Sequence, residues 1–162
     1  MPLKTGIYHI RWVPKHIKLP FIGGVYATGD AQNAPVRAEA LHPDAGNQKW
    51  RVAPIEGKKD TYQITYPGIT LVGNEGPFVT SWASSKKGGE AEPVTLAGHI
   101  AEWIITVVDE EHSVYRISEP HGEIVGAVRY VTEEYNLLYV KSYPIILDLS
   151  PLPSWQFVHV SE

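Results

Sequence analysis

The chain has 162 residues, a formal net charge of −4 from 14 Lys and Arg against 18 Asp and Glu, and a size that one domain spanning 1–162 fills with a core of its own. The negative balance argues against nucleic acid or an anionic membrane as partner, and the absence of cysteine excludes disulfides, thiolate nucleophiles and cysteine-type zinc sites. No apolar run is long enough to span a bilayer and the stretch MPLKTGIYHI lacks a secretory h-region, so a cytoplasmic location is expected.

Taken in chain order, the first strand is predicted at Tyr8-His9-Ile10, followed by a long connection over residues 13–24 (VPKHIKLPFIGG) that is basic, then apolar, then Gly23-Gly24. A second strand is predicted at Val25-Tyr26-Ala27-Thr28, a third behind Pro35-Val36, and a fourth opening at Trp50 (WRVAP). The succession returns at Tyr62-Gln63-Ile64, Phe78-Val79-Thr80, Pro93-Val94 and Trp103 (WIITVV). It returns again at Tyr115-Arg116-Ile117, Leu138-Tyr139-Val140, Pro144-Ile145 and Trp155 (WQFVHV). The tyrosines lie 54 and 53 residues apart and the tryptophans 53 and 52, so two independent markers share one period. The predicted fold is all-β: a β-trefoil of three four-stranded repeats of about 53 residues, a barrel capped by hairpins, with helix content near zero because no segment sustains a 3.6-residue apolar period. A β-sandwich with accidental repetition is the rival topology.

Residues that recur in every repeat are read as packing, since each repeat buries the same face, and function is sought where the repeats differ. The marker prolines stand 15, 10 and 11 residues before their tryptophans, which places an insertion, residues 41–48, in the first repeat. Gly23-Gly24 provides either a turn at positive φ or a backbone free of Cβ atoms for close approach to another surface, with Phe21 and Ile22 beside it as an exposed apolar tip. In the second repeat Asn74 sits in a turn within ITLVGNEG, and Lys86 and Lys87 lie in a solvated loop, where either offers a basic side chain to a trypsin-like pocket. Motifs of hydrolases, kinases and nucleotide-binding proteins are missing, and the seven histidines are dispersed. Asp109-Glu110-Glu111 reads as a tight acidic turn rather than a metal site, so neither an enzyme nor a cofactor is expected.

The stretches Thr5-Gly6-Ile7-Tyr8-His9-Ile10-Arg11, Gly23-Gly24-Val25-Tyr26-Ala27-Thr28, Pro35-Val36-Arg37-Ala38-Glu39, Gln48-Lys49-Trp50-Arg51-Val52 and Tyr62-Gln63-Ile64-Thr65-Tyr66 together resemble the mycocypins, the clitocypin and macrocypin inhibitors of mushrooms. Further on, Pro93-Val94, Ala97-Gly98, the strand after Trp103 and Trp155-Gln156-Phe157 are also similar. The resemblance implies a fungal β-trefoil inhibitor of papain-like cysteine proteases. In that family the loops after the first and third strands enter the cleft as a wedge and cover the catalytic cysteine without offering a cleavable bond. The corresponding residues are Phe21, Ile22, Gly23 and Gly24 on one loop and His42, Pro43, Asp44, Ala45 and Gly46 on the other. Some members also inhibit legumain through an asparagine between the fifth and sixth strands, where Thr70 is nearest in register here and Asn74 is the candidate. Members with lysine at that place block trypsin, and no lysine lies within residues 69–76. A monomer is expected, serving defence or internal regulation.

Two further readings compete. A ricin-B-type carbohydrate-binding trefoil bears a Gln-x-Trp signature, which Gln48-Lys49-Trp50 satisfies and Ala101-Glu102-Trp103 and Pro153-Ser154-Trp155 do not. A serine protease inhibitor would present Lys86, Lys87 or Asn74 on a substrate-like loop.

Overall fold

Along Gly6–Val13 the alternation of the strand turns Tyr8, Ile10 and Trp12 inward, where all three are buried. This is β1 of a computed structural model that describes residues 3–42, 46–66, 70–71, 77–78, 80–84, 91–120, 127–144 and 152–161. The first third of the chain continues with β2 (Tyr26–Thr28), β3 (Arg37–Glu39) and β4 (Trp50–Pro54). The middle third holds β5 (Thr61–Thr65), the small pair β6 (Thr70–Leu71) and β7 (Pro77–Phe78), then β8 (Ser81–Ala83), β9 (Ala91–Pro93), β10 (Thr95–Ala97) and β11 (Trp103–Asp109). The last third supplies β12 (Val114–Ser118), β13 (Ala127–Glu134), β14 (Leu137–Pro144) and β15 (Ser154–Ser161). Among the described residues the only helical element is a single 3-10 turn, Gly46–Gln48, and no helix is long and apolar enough to cross a membrane.

Six strands close on themselves in antiparallel pairs, β1 with β4, β4 with β5, β5 with β11, β11 with β12, β12 with β15 and β15 with β1. Closure leaves the barrel without a free edge. The register is the same in each third: Tyr8 faces Trp50, Tyr62 faces Trp103 and Tyr115 faces Trp155. Each of these tryptophans is buried and donates its indole N–H to a carbonyl of a cap strand, Trp50 to Ala27 at 3.0 Å, Trp103 to Trp82 at 2.9 Å and Trp155 to Val131 at 2.9 Å. A large apolar ring is thereby buried with its one polar atom satisfied, each ring contributing roughly 5 kcal/mol of transfer free energy before entropy. Burial also pushes the phenols of Tyr62 and Tyr115 above their ordinary pKa.

The caps are the hairpins β2 with β3, β8 with β10, and β13 with β14. They meet around three buried residues whose backbones form a closed triangle: Val36 N to Val94 O at 2.8 Å, Val94 N to Leu138 O at 2.9 Å and Leu138 N to Val36 O at 3.0 Å. The triangle corrects the sequence reading of the third repeat, because the counterpart of Pro35-Val36 and Pro93-Val94 is Leu137-Leu138 and not Pro144-Ile145. Pro144 ends β14, and Ile145 lies outside the described residues. Leu138-Tyr139-Val140 is accordingly the third strand of its repeat, the second being β13. No proline is needed here, since Tyr135 and Asn136 reverse the chain with φ of 55° and 65°. From Leu137 to Trp155 is 18 residues, so the longest spacing before a tryptophan falls in the third repeat rather than the first.

In the second repeat the cap strand is β8 and not Phe78-Val79-Thr80. Phe78 belongs to β7 and pairs with Thr70 of β6, Val79 lies outside the described residues, and Thr80 stands outside the named strands, its carbonyl accepting Tyr66 N at 2.9 Å. Both stretches have strand-forming residues, and Trp82 decides between them. Its ring is buried 5.5 Å from that of Trp50 and 6.4 Å from that of Trp103.

Candidate functional site

The long connection after β1 is held from beneath. Trp12 N donates to Val25 O at 2.9 Å across its base, and the Leu19-Pro20 peptide bond is cis. Gly23 and Gly24 have φ of 81° and 95°, the left-handed region that a side chain disfavours, so both act as turn glycines. They differ in surroundings. A Cβ on Gly24 would meet Phe21 Cε2 at 3.1 Å and Arg11 Nε at 3.2 Å, whereas one on Gly23 would meet nothing within 4 Å. Gly23 thus combines the turn with a backbone open to an approaching surface.

The expected Phe21 and Ile22 tip divides in two. Ile22 is completely exposed, 101% of its reference area, whereas Phe21 is half-buried under the guanidinium of Arg11, which lies 3.6 Å from its ring centroid. Phe21 is therefore a support and Ile22 the tip. Nothing in the spacing separates the two, because the division depends on Arg11 reaching up from β1.

The second loop is fastened by Gln48, which is fully buried. Its Nε2 donates to Ala40 O at 2.9 Å and to Thr28 Oγ1 at 3.1 Å, and its Oε1 accepts His42 N at 2.7 Å. Asn47 adds an exchange with Gly29, Asn47 Nδ2 to Gly29 O at 3.1 Å and Gly29 N to Asn47 O at 2.7 Å. His9 Nδ1 donates to Gln48 O at 2.9 Å, which ties this loop to β1. Leu41, His42 and Gly46 are exposed, and Pro43, Asp44 and Ala45 lie outside the described residues. Gln48 and Trp50 are thus consumed by the interior, which leaves neither available to stack on or hydrogen-bond a sugar.

An open groove of about 640 Å³ is lined by Val25, Ala40 and His42 together with Tyr135 and Asn136 of the third repeat. Tyr135 is 85% exposed at the hairpin turn, a feature the sequence reading missed, although an aromatic residue in a two-residue turn is itself a signal. Asn74, Lys86 and Lys87 lie outside the described residues. Asp109, Glu111 and His112 could together offer three ligands to a metal ion, but Asp109 is committed to its turn: Oδ1 accepts His112 N at 3.3 Å and Oδ2 accepts His112 Nδ1 at 2.7 Å. The His112 side-chain hydrogen bond holds the Asp109 carboxyl below its usual range.

A family model described as peptidase inhibitor clitocypin matches residues 6–157. The chain belongs to the clitocypin family of peptidase inhibitors. Clitocypin-2 of Clitocybe nebularis is 30% identical over 156 residues, covering 96% of both chains, and clitocypin of the same fungus is 30% identical over 96% of this chain and 97% of its own. Membership of an inhibitor family also sets the chain apart from enzymes. Among solved structures, the Rhizoctonia solani agglutinin superposes with a TM-score of 0.60 at 15% identity over 99% of both chains. The Polyporus squamosus lectin, solved bound to a human-type influenza-binding epitope, superposes with a TM-score of 0.57 at 16% identity over 97% of this chain and 50% of its own. These two similarities speak to the β-trefoil fold alone.

Proposed function

We propose that this clitocypin-family chain inhibits papain-like cysteine proteases as a monomer, with the loop tip at residues 22–24 and the second loop at residues 41–47 entering the active-site cleft from its two sides. The observation that carries this reading is Ile22, an apolar side chain held wholly in solvent beside a Phe21 ring that is packed under Arg11. Such exposure is costly unless a partner covers it, and burying an isoleucine contributes about 1.5–3 kcal/mol. Beside it, the open backbone of Gly23 lets the loop pass close over a catalytic thiol. A contact of this kind blocks the cleft without placing a peptide bond in line for attack.

Titrating papain with the purified protein under reducing conditions tests the reading, and near-stoichiometric loss of activity is the expected result. Ile22→Asp is then expected to weaken inhibition at least tenfold with the melting temperature unchanged, because the side chain rests on nothing in the fold. Unchanged inhibition by that variant would remove the first loop from the site. A second site for legumain or a serine protease, in the loop after residue 68, belongs to the same reading, and Asn74→Ala is expected to abolish legumain inhibition while leaving papain inhibition intact. Action in the cytoplasm of a fungal cell, in defence, completes the proposal.

A further inference from the structure

Strand alternation points Arg11 away from the barrel interior, yet its side chain is buried, only 8% exposed, because the loop of residues 14–25 folds over it. Its fork is spent on that loop. Nε donates to Gly23 O at 2.9 Å, Nη2 donates to Phe21 O at 2.7 Å and also to Gly23 O, and Nη1 donates to Gln156 Oε1 at 3.2 Å. Gln156 is itself oriented by donating Nε2 to His112 O at 3.0 Å, so the anchor reaches from β1 through β15 to the turn before β12. The guanidinium face stacks on Phe21, with Tyr26 at 5.8 Å. Among the described residues no carboxylate pairs with it, and backbone dipoles and an aromatic face balance the charge instead.

We infer that Arg11 is the positioning residue of the first loop: by drawing the Phe21 ring and the Phe21 and Gly23 carbonyls inward, it leaves Ile22 no direction but outward. This rests on the reading that the loop contacts the protease. A planar fork is required, because two carbonyls and a ring face are held at once, and the single ammonium of lysine cannot reproduce that geometry. A loop fixed before docking avoids the ordering cost of association, so losing the fork slows association rather than removing a contact.

The test compares Arg11→Lys and Arg11→Met with the parent chain in two measurements, the amide order parameters of residues 21–24 and the association rate constant with papain. The expected result is that both variants melt cooperatively, that the order parameters of the loop fall below about 0.6, and that association slows about tenfold or more. Lysine is not expected to rescue. A loop that stays as ordered in both variants as in the parent overturns the inference, whatever papain does. A loosened loop with association unchanged, in a parent that inhibits, overturns the claim that this ordering serves inhibition and locates the failure in the assignment of the loop to the protease. A parent that does not inhibit papain defeats the functional reading before any variant is made, and the order parameters still decide the role of Arg11.

Discussion

Replacing Arg129 with methionine is expected to lower the free energy of unfolding by about 3–5 kcal/mol, the usual cost of stripping one partner from a buried ion cluster. Arg129 on β13 lies between Glu92 on β9, which accepts from Nη2, and Glu119 after β12, whose Oε1 is 3.1 Å from Nε. The three side chains are only 9–12% exposed. The Nε contact is Coulombic rather than an aligned hydrogen bond, since Nε itself has no hydrogen-bond partner, and Ser84 Oγ supplies the aligned one by donating to Glu119 Oε2 at 2.6 Å. Methionine would leave two carboxylates together in a site with little water. Urea denaturation measures the loss, and adding Glu92→Gln and Glu119→Gln to the variant should restore a large part of it. The exposed pair Lys58 and Glu102, at 2.6 Å, provides the contrast: Lys58→Ala is worth less than about 1 kcal/mol. A loss from Arg129→Met no greater than that would mean that the cluster is already screened by solvent.

The barrel was legible because its chemistry is repetitive. A tyrosine facing a tryptophan across a closed barrel needs one large ring and one strand register, and evolution reused both at Tyr8 and Trp50, Tyr62 and Trp103, and Tyr115 and Trp155. The caps were less legible. Their positions depend on backbone bonds such as the triangle through Val36, Val94 and Leu138, and any apolar residue serves there, so proline markers stood in for a geometry that Tyr135 and Asn136 achieve by positive φ. At the candidate site, the irregular length and the two glycines of residues 13–24 were visible in the sequence. The inward Phe21 and outward Ile22 were not, because the cause is Arg11, ten residues earlier on β1. Gln48 was misleading for a related reason: the same residue type beside a tryptophan suits a sugar site at the surface or a loop clasp in the interior, and burial alone separates them.

That clasp supports the other strong prediction. Gln48→Leu keeps nearly the same volume in a fully buried position but removes the donor to Ala40 O and Thr28 Oγ1 and the acceptor for His42 N. Three hydrogen bonds at about 1 kcal/mol each, together with partners left partly desolvated, give an expected loss of about 2–4 kcal/mol. The bond from the His9 imidazole Nδ1 to the Gln48 main-chain carbonyl survives the change, so β4 keeps its place and the damage is confined to the loop between Ala40 and Gln48. If that loop is one arm of the wedge, papain inhibition should weaken about tenfold in protein that is still more than nine-tenths folded at 25 °C, and thermal denaturation run beside the enzyme assay verifies that condition. A variant destabilised by the expected amount yet inhibiting as well as the parent would show that the first loop acts alone, with Ile22 carrying the contact. Should stability itself be unchanged, water must replace the lost side-chain atoms, and the exposed His42 marks where it would enter.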